Sequence, residues 1–87
     1  TGARDATLLN NLGWVWLNQG HAGEAVAFAR AAYALAPNSA PVAASYGWFA
    51  SSAGDRATAV ALLEKAVAIA PDIPAYRERL AKARGGR

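Results

Sequence analysis

Apolar residues in this chain recur at steps of three and four rather than in alternation. Leu9, Leu12 and Trp16 share one helical face, as do Ala25, Phe28, Ala29 and Ala32, and later Ala59, Leu62, Leu63 and Ala66. The pattern predicts amphipathic helices with these faces as the seams between neighbours, and turn residues divide the chain into five. Asp5 is the expected N-cap of the first helix, roughly 6–19, which Gly20 ends. The second, roughly 22–35, stops before Pro37. Asn38 or Ser39 caps the third, Pro41 sits in its first turn, and Gly54 closes it. Asp55 caps the fourth, roughly 56–70, which ends at Pro71. Asp72 or Ile73 leads into the last, roughly 74–84, with Gly85-Gly86 behind it. Short turns make neighbouring helices antiparallel.

The helices are copies of one another. At an offset of 34 residues, Leu12-Gly13-Trp14 recurs as Tyr46-Gly47-Trp48, Gly20 as Gly54, and Ala25-Val26-Ala27 as Ala59-Val60-Ala61. Ala32, Ala34, Ala36 and Pro37 recur as Ala66, Ala68, Ala70 and Pro71. A fixed period of this size marks a stacked array of helix pairs, in which each unit touches only its neighbours.

These residues resemble the tetratricopeptide repeat (TPR) family. The first unit supplies Leu9, Leu12-Gly13, Trp16, Ala25, Ala32 and Pro37; the second supplies Tyr46-Gly47, Ala59, Leu63, Ala66 and Pro71. Gly13 and Gly47 let paired helices approach closely, and Ala25, Ala32, Ala59 and Ala66 do the same from the opposing helix. Ala29, Ala43 and Ala50 depart from the pattern, standing where large residues are usual, and are expected to lower local packing density. The resemblance implies an all-α right-handed superhelix: a tail over 1–5, units over 6–39 and 40–73, a capping helix over 74–84 and a tail over 85–87. The Asn10-Asn11-Leu12-Gly13-Trp14 and Ala32-to-Asn38 strings are also similar to those of bacterial cell-envelope and exopolysaccharide-system repeat proteins.

In such proteins the first helix of each unit lines a concave groove. Here that face is expected to carry Thr7, Asn10, Asn11, Trp14, Leu17 and Asn18, then Ala44, Trp48, Ser51 and Ser52, then Ala75, Glu78, Arg79 and Lys82. Trp14 and Trp48 stand one period apart, so they should lie side by side and suit an extended peptide or a partner helix. Partial packing between helices explains them equally well, and Trp16 fills a packing position. A family subset grips chaperone carboxylates with Lys, Asn, Asn, Lys and Arg. The corresponding residues are Asn10, Trp14, Ser45, Ala75 and Arg79, of which only Arg79 matches, so a two-carboxylate clamp is not expected; Arg79 with Lys82 can still meet one acidic group.

The array's two ends differ. Arg77 and Arg84 take places that face a second helix in internal units, so the last helix reads as a solvating cap, with Ile73, Tyr76 and Leu80 packing back. Leu8 lies where an earlier repeat would pack, which points to lost upstream repeats or to a homodimer. The chain has 87 residues and no methionine, and reads as a piece of a longer protein.

Composition narrows the function. Formal charge is +3, with the excess in Arg77, Arg79, Lys82, Arg84 and Arg87 against Glu78. Cations near a helix C-terminus complement its dipole. No basic stripe with interleaved aromatics crosses both units, so nucleic acid is not an expected partner. No stretch is long and apolar enough to insert in a membrane. With no cysteine, a lone His21 in a turn and scattered carboxylates, neither a catalytic pair nor a metal site is expected, and no glycine-rich loop suggests a cofactor. Three readings follow: a non-catalytic scaffold holding a peptide or helix, a self-assembly element, or the repeat domain of a larger envelope or transferase protein. Nothing in the sequence fixes the compartment.

Overall fold

The computed structural model describes residues 2–85, and within them the chain is five α-helices joined by tight turns. They are α1 (Gly2–Asn18), α2 (Ala22–Leu35), α3 (Ala40–Ser52), α4 (Arg56–Ile69) and α5 (Pro74–Gly85). α1 starts four residues earlier than its spacing predicts. Ala3 to Ala6 are compatible with helix, Thr7 Oγ1 donates to the Ala3 carbonyl at 3.0 Å, and Ala6 is buried against Ala32 and Val42. Asp5 therefore lies in the first turn, near the positive end of the helix, rather than at the N-cap. Gly85 closes α5 from inside the helix; the rest of the expected tails, with Arg87, lies outside the described residues.

The other helix ends follow local chemistry. Ser39 Oγ accepts from the Val42 N–H at 3.4 Å and Asp55 Oδ1 from the Thr58 N–H at 3.2 Å. The Thr58 hydroxyl, and after it the Thr58 N–H, hold the Asp55 carboxyl below its usual range. His21 occupies the N-cap position of α2 without a side-chain cap bond. It instead meets the Trp16 ring edge-on at 5.4 Å. Gly20 and Gly54 have φ of +83° and +87°, a left-handed conformation that reverses the chain at equivalent points of the two units.

Within each unit the pairs α1–α2 and α3–α4 pack along their length, and α5 docks on α4. The first helices also touch one another, α1 on α3 and α3 on α5, whereas the backbones of α2 and α4 do not meet. The stack therefore curls with α1, α3 and α5 inside. On the outside, α2 and α4 are linked by side chains: Lys65 Nζ donates to Tyr33 Oη at 2.7 Å. The thinnest dimension, 18 Å, fits two helix layers of about 10 Å each.

Phe49 and Leu63 are the largest fully buried side chains, set among closely spaced alanines. Ala29, Ala43 and Ala50 are themselves fully buried. The room beside Ala29 is taken by Phe49, which packs on Ala25 and Ala29. One seam assignment fails. Leu12 is 37% exposed and sits with Leu8 and Val15 on a free face of α1. Ile73, expected to pack back, is also exposed at 40%, while Tyr76 is half-buried and Leu80 buried. Ile73 lies in the turn before α5, and it is the helix itself that puts Leu80 and Ala83 into the core.

Candidate functional site

The 34-residue period puts Trp14, Trp48 and Lys82 at one register position on the three inner helices, with Asn11, Ser45 and Arg79 at a neighbouring one. The fold turns that register into a cluster. Trp14 leans from α1 toward α3, where its Nε1–H donates to Ser45 Oγ at 3.1 Å. Ser45 is buried, so this bond satisfies two polar groups and fixes the indole plane. The same ring meets Phe49 edge-to-face at 4.8 Å and 82°. Trp48 is half-buried beside the same Phe49 cluster. Both tryptophans thus pack inward and keep part of their surface in solvent.

Two cations from α5 complete the cluster. The Arg79 guanidinium lies 5.5 Å from the Trp14 ring centre and 5.6 Å from that of Trp48, so one side chain spans both indoles. Lys82 Nζ stands 5.9 Å from the Trp48 ring centre. Each such contact contributes roughly 0.5–1 kcal/mol at an exposed site. Arg79 is half-buried and Lys82 exposed. Arg84 pairs with Glu64 at 2.6 Å, whereas neither Arg79 nor Lys82 has a carboxylate partner among the described residues.

The remaining expected groove residues divide. Ser51 is half-buried and Asn18 exposed. Ser52 is exposed, but its hydroxyl donates to the Trp48 carbonyl at 3.1 Å and so back-bonds its own helix. Leu17 packs against the Phe49 cluster, which leaves it only partly available. Asn10 is half-buried and turns Oδ1 inward, where it has no hydrogen-bond partner, so that acceptor does not face the groove. Phe49 escaped sequence reasoning as part of this site, and Ser45 entered it only as a clamp position that does not match. The signal for Ser45 was a small polar residue one period after Asn11 and one before Arg79.

A second, open groove of about 510 Å³ lies between α4 and α5, floored by Val67, Ala68, Leu80 and Ala81. Its rim arginines are both engaged: Arg77 donates to the Pro71 carbonyl and Arg84 pairs with Glu64. It offers apolar surface with charge already matched. The indole site offers aromatic surface with charge unmatched, which makes it the better candidate for recognition.

Among the described residues no three His, Asp or Glu side chains gather as a metal site, and no helix is long and apolar enough to cross a membrane. Two family models, each described as a tetratricopeptide repeat, match the chain, one over residues 6–36 and the other over 40–73. No curated protein matches it.

Proposed function

We propose that this chain, which belongs to the tetratricopeptide repeat family, is a non-catalytic scaffold that holds a peptide or helix against its inner face. Repeats of this family generally mediate protein–protein interaction. The observation that carries the reading is the pair of half-buried indoles on adjacent inner helices, spanned by Arg79. Tryptophan and arginine dominate interface hot spots because they bring large contact area with few rotatable bonds or a rigid donor fork. Asn18 and Ser51 edge the same face with polar groups. Selection of linear peptides on the immobilised chain tests the reading. Selected peptides should shift the tryptophan fluorescence. They should bind Trp48→Ala and Ser51→Arg at least about tenfold more weakly, with both variants still helical by circular dichroism. Peptides that bind both variants as tightly as the parent chain would place recognition elsewhere.

A second reading, self-association through α1, rests on a comparison of equivalent positions. Leu8, Leu12 and Val15 correspond one period later to Val42, Tyr46 and Phe49, and two periods later to Tyr76, Leu80 and Ala83. In α3 that face is covered by the first unit, leaving Val42 4% and Phe49 0% exposed. In α1 it is bare, with Leu8 59% and Val15 51% exposed. An apolar stripe of this kind suits another repeat unit or a second copy of the chain. Light scattering across a concentration series should show mass rising toward a dimer, and Leu8→Glu with Val15→Glu should hold the chain monomeric. A parent chain that stays monomeric at every concentration rules out the homodimer.

A further inference from the structure

We infer that the outer seam between the two units is an oxyanion site, where Arg30, Tyr33, Tyr46 and Lys65 hold a phosphate group, free or carried on a partner. The site does not depend on the reading of the inner face.

Hydrogen bonding is the first observation. Lys65 Nζ donates to Tyr33 Oη at 2.7 Å, and Arg30 Nε–H donates to Tyr46 Oη at 3.4 Å. The two phenol rings meet edge-to-face at 5.7 Å, so the four side chains run continuously from α2 to α4. Each phenol oxygen accepts from a cation, and its own proton meets no acceptor among the described residues. Accepting a charged hydrogen bond makes that O–H a stronger donor. Neither Arg30 nor Lys65 has a carboxylate partner there. The seam thus offers two cations and two hydroxyl donors with no acid to match them.

The second observation comes from the repeat. One period later, Arg30, Tyr33 and Tyr46 become Glu64, Val67 and Leu80. That seam is packed by aliphatic side chains, and its acid pairs with Arg84. Packing at these positions therefore needs no hydroxyl. In the first seam the rings fill the space and are held by it: Tyr33 packs against the cores of both units and Tyr46 against the Phe49 cluster. Both are half-buried, which fixes their hydroxyls, while the exposed Arg30 and half-buried Lys65 have long stems that can turn to a ligand. A phosphate group carries close to two negative charges and three or more acceptor oxygens, enough for the guanidinium fork, the ammonium and the phenols together. A carboxylate has two oxygens and leaves donors over. A nucleic-acid backbone needs a basic stripe rather than one cluster. Since the backbones of α2 and α4 do not meet, an anion shared by Arg30 and Lys65 ties the outer helices together.

Inorganic phosphate is the first probe, at constant ionic strength against chloride. At about five times its dissociation constant it should raise the thermal midpoint by about 4–8 °C. It should also shift the Arg30 Nε–H resonance in a saturable way. The Arg30→Gln, Lys65→Gln double variant, still helical by circular dichroism, should lose both effects, and Tyr33→Phe should weaken binding severalfold. Arg84→Gln, which alters the other seam, should leave both effects in place. A short neutral peptide bearing one phosphoserine is the second probe. Binding at least about tenfold tighter than inorganic phosphate assigns the group to a phosphorylated segment, and equal or weaker binding assigns it to the free ion. A midpoint that responds to phosphate equally in the parent and the double variant is a general salt effect and overturns the site. So does an Arg30 resonance that phosphate does not move, which leaves the two cations as mere links between α2, α3 and α4.

Discussion

Phe49→Ala is expected to remove about 3–5 kcal/mol of stability, the usual cost of emptying a fully buried aromatic position. A domain of this size has in total on the order of 5–10 kcal/mol. The loss should be large here because one ring serves three contacts. Phe49 packs on Ala25 and Ala29 of α2, supports the edge of Trp14, and fills the space that Gly13 leaves open. A Cβ at Gly13 would lie 2.6 Å from Phe49 Cε2, so α1 is already as close to the ring as it can come. On α1 and α2 the ring lies against Gly13, Ala25 and Ala29, which have no side chain long enough to refill the cavity. Denaturant unfolding followed by far-ultraviolet circular dichroism reads the effect. Phe49→Leu, which keeps most of the volume, should cost only about 1–1.5 kcal/mol. A loss below about 1 kcal/mol for Phe49→Ala would mean that this ring does not join the two units.

Gly47→Ala is expected to destabilise by about 2 kcal/mol although alanine is the better helix former by about 1 kcal/mol. The added Cβ would lie 2.7 Å from Leu63 Cγ, 3.1 Å from the Ala59 carbonyl oxygen and 3.3 Å from Leu63 N. Two of these three obstacles are backbone, so a rotamer change in Leu63 cannot relieve them and α4 must back away. Gly23→Ala supplies the control. That glycine lies in the first turn of α2, has no atom near its missing Cβ and an ordinary φ, so the change should leave stability equal or slightly raised. The denaturation midpoints of the two variants should move in opposite directions or differ clearly. Equal midpoints would show that α3 and α4 can separate without cost.

Much of the fold was legible because its rules are local. Ser39 and Asp55 cap their helices, and Gly20 and Gly54 reverse the chain where the repeat places them. What escaped is what one register position does in different neighbourhoods. Val15 and Phe49 are equivalent in the period, yet one is bare and the other wholly buried, because only α3 has a unit packed on that side. Leu12 was misread as a seam for the same reason. In the candidate site, the sequence placed Trp14 and Trp48 side by side and named Arg79 and Lys82. The reach of Arg79 over two indoles was not readable. It depends on how far the stack curls, and therefore on the close approach of helices that alanine and glycine permit. The inward turn of Asn10 Oδ1 depends on side-chain packing that helical spacing does not record.

In the described structure the backbone of α5 packs on α4 and α3 alone, and Arg79 reaches past them to Trp14 of α1. In a linear array a helix with neighbours on one side is the first to open, and its opening free energy is smaller than that of the whole. Arg79 and Lys82 ride on that helix, while Trp14 is fixed to the far side of α3 by Ser45. Anything that grips the cations and both indoles together is therefore a clasp across the seam. Occupancy and the docking of α5 become a single coupled equilibrium, so affinity at this face is partly a measure of how tightly the last helix is shut.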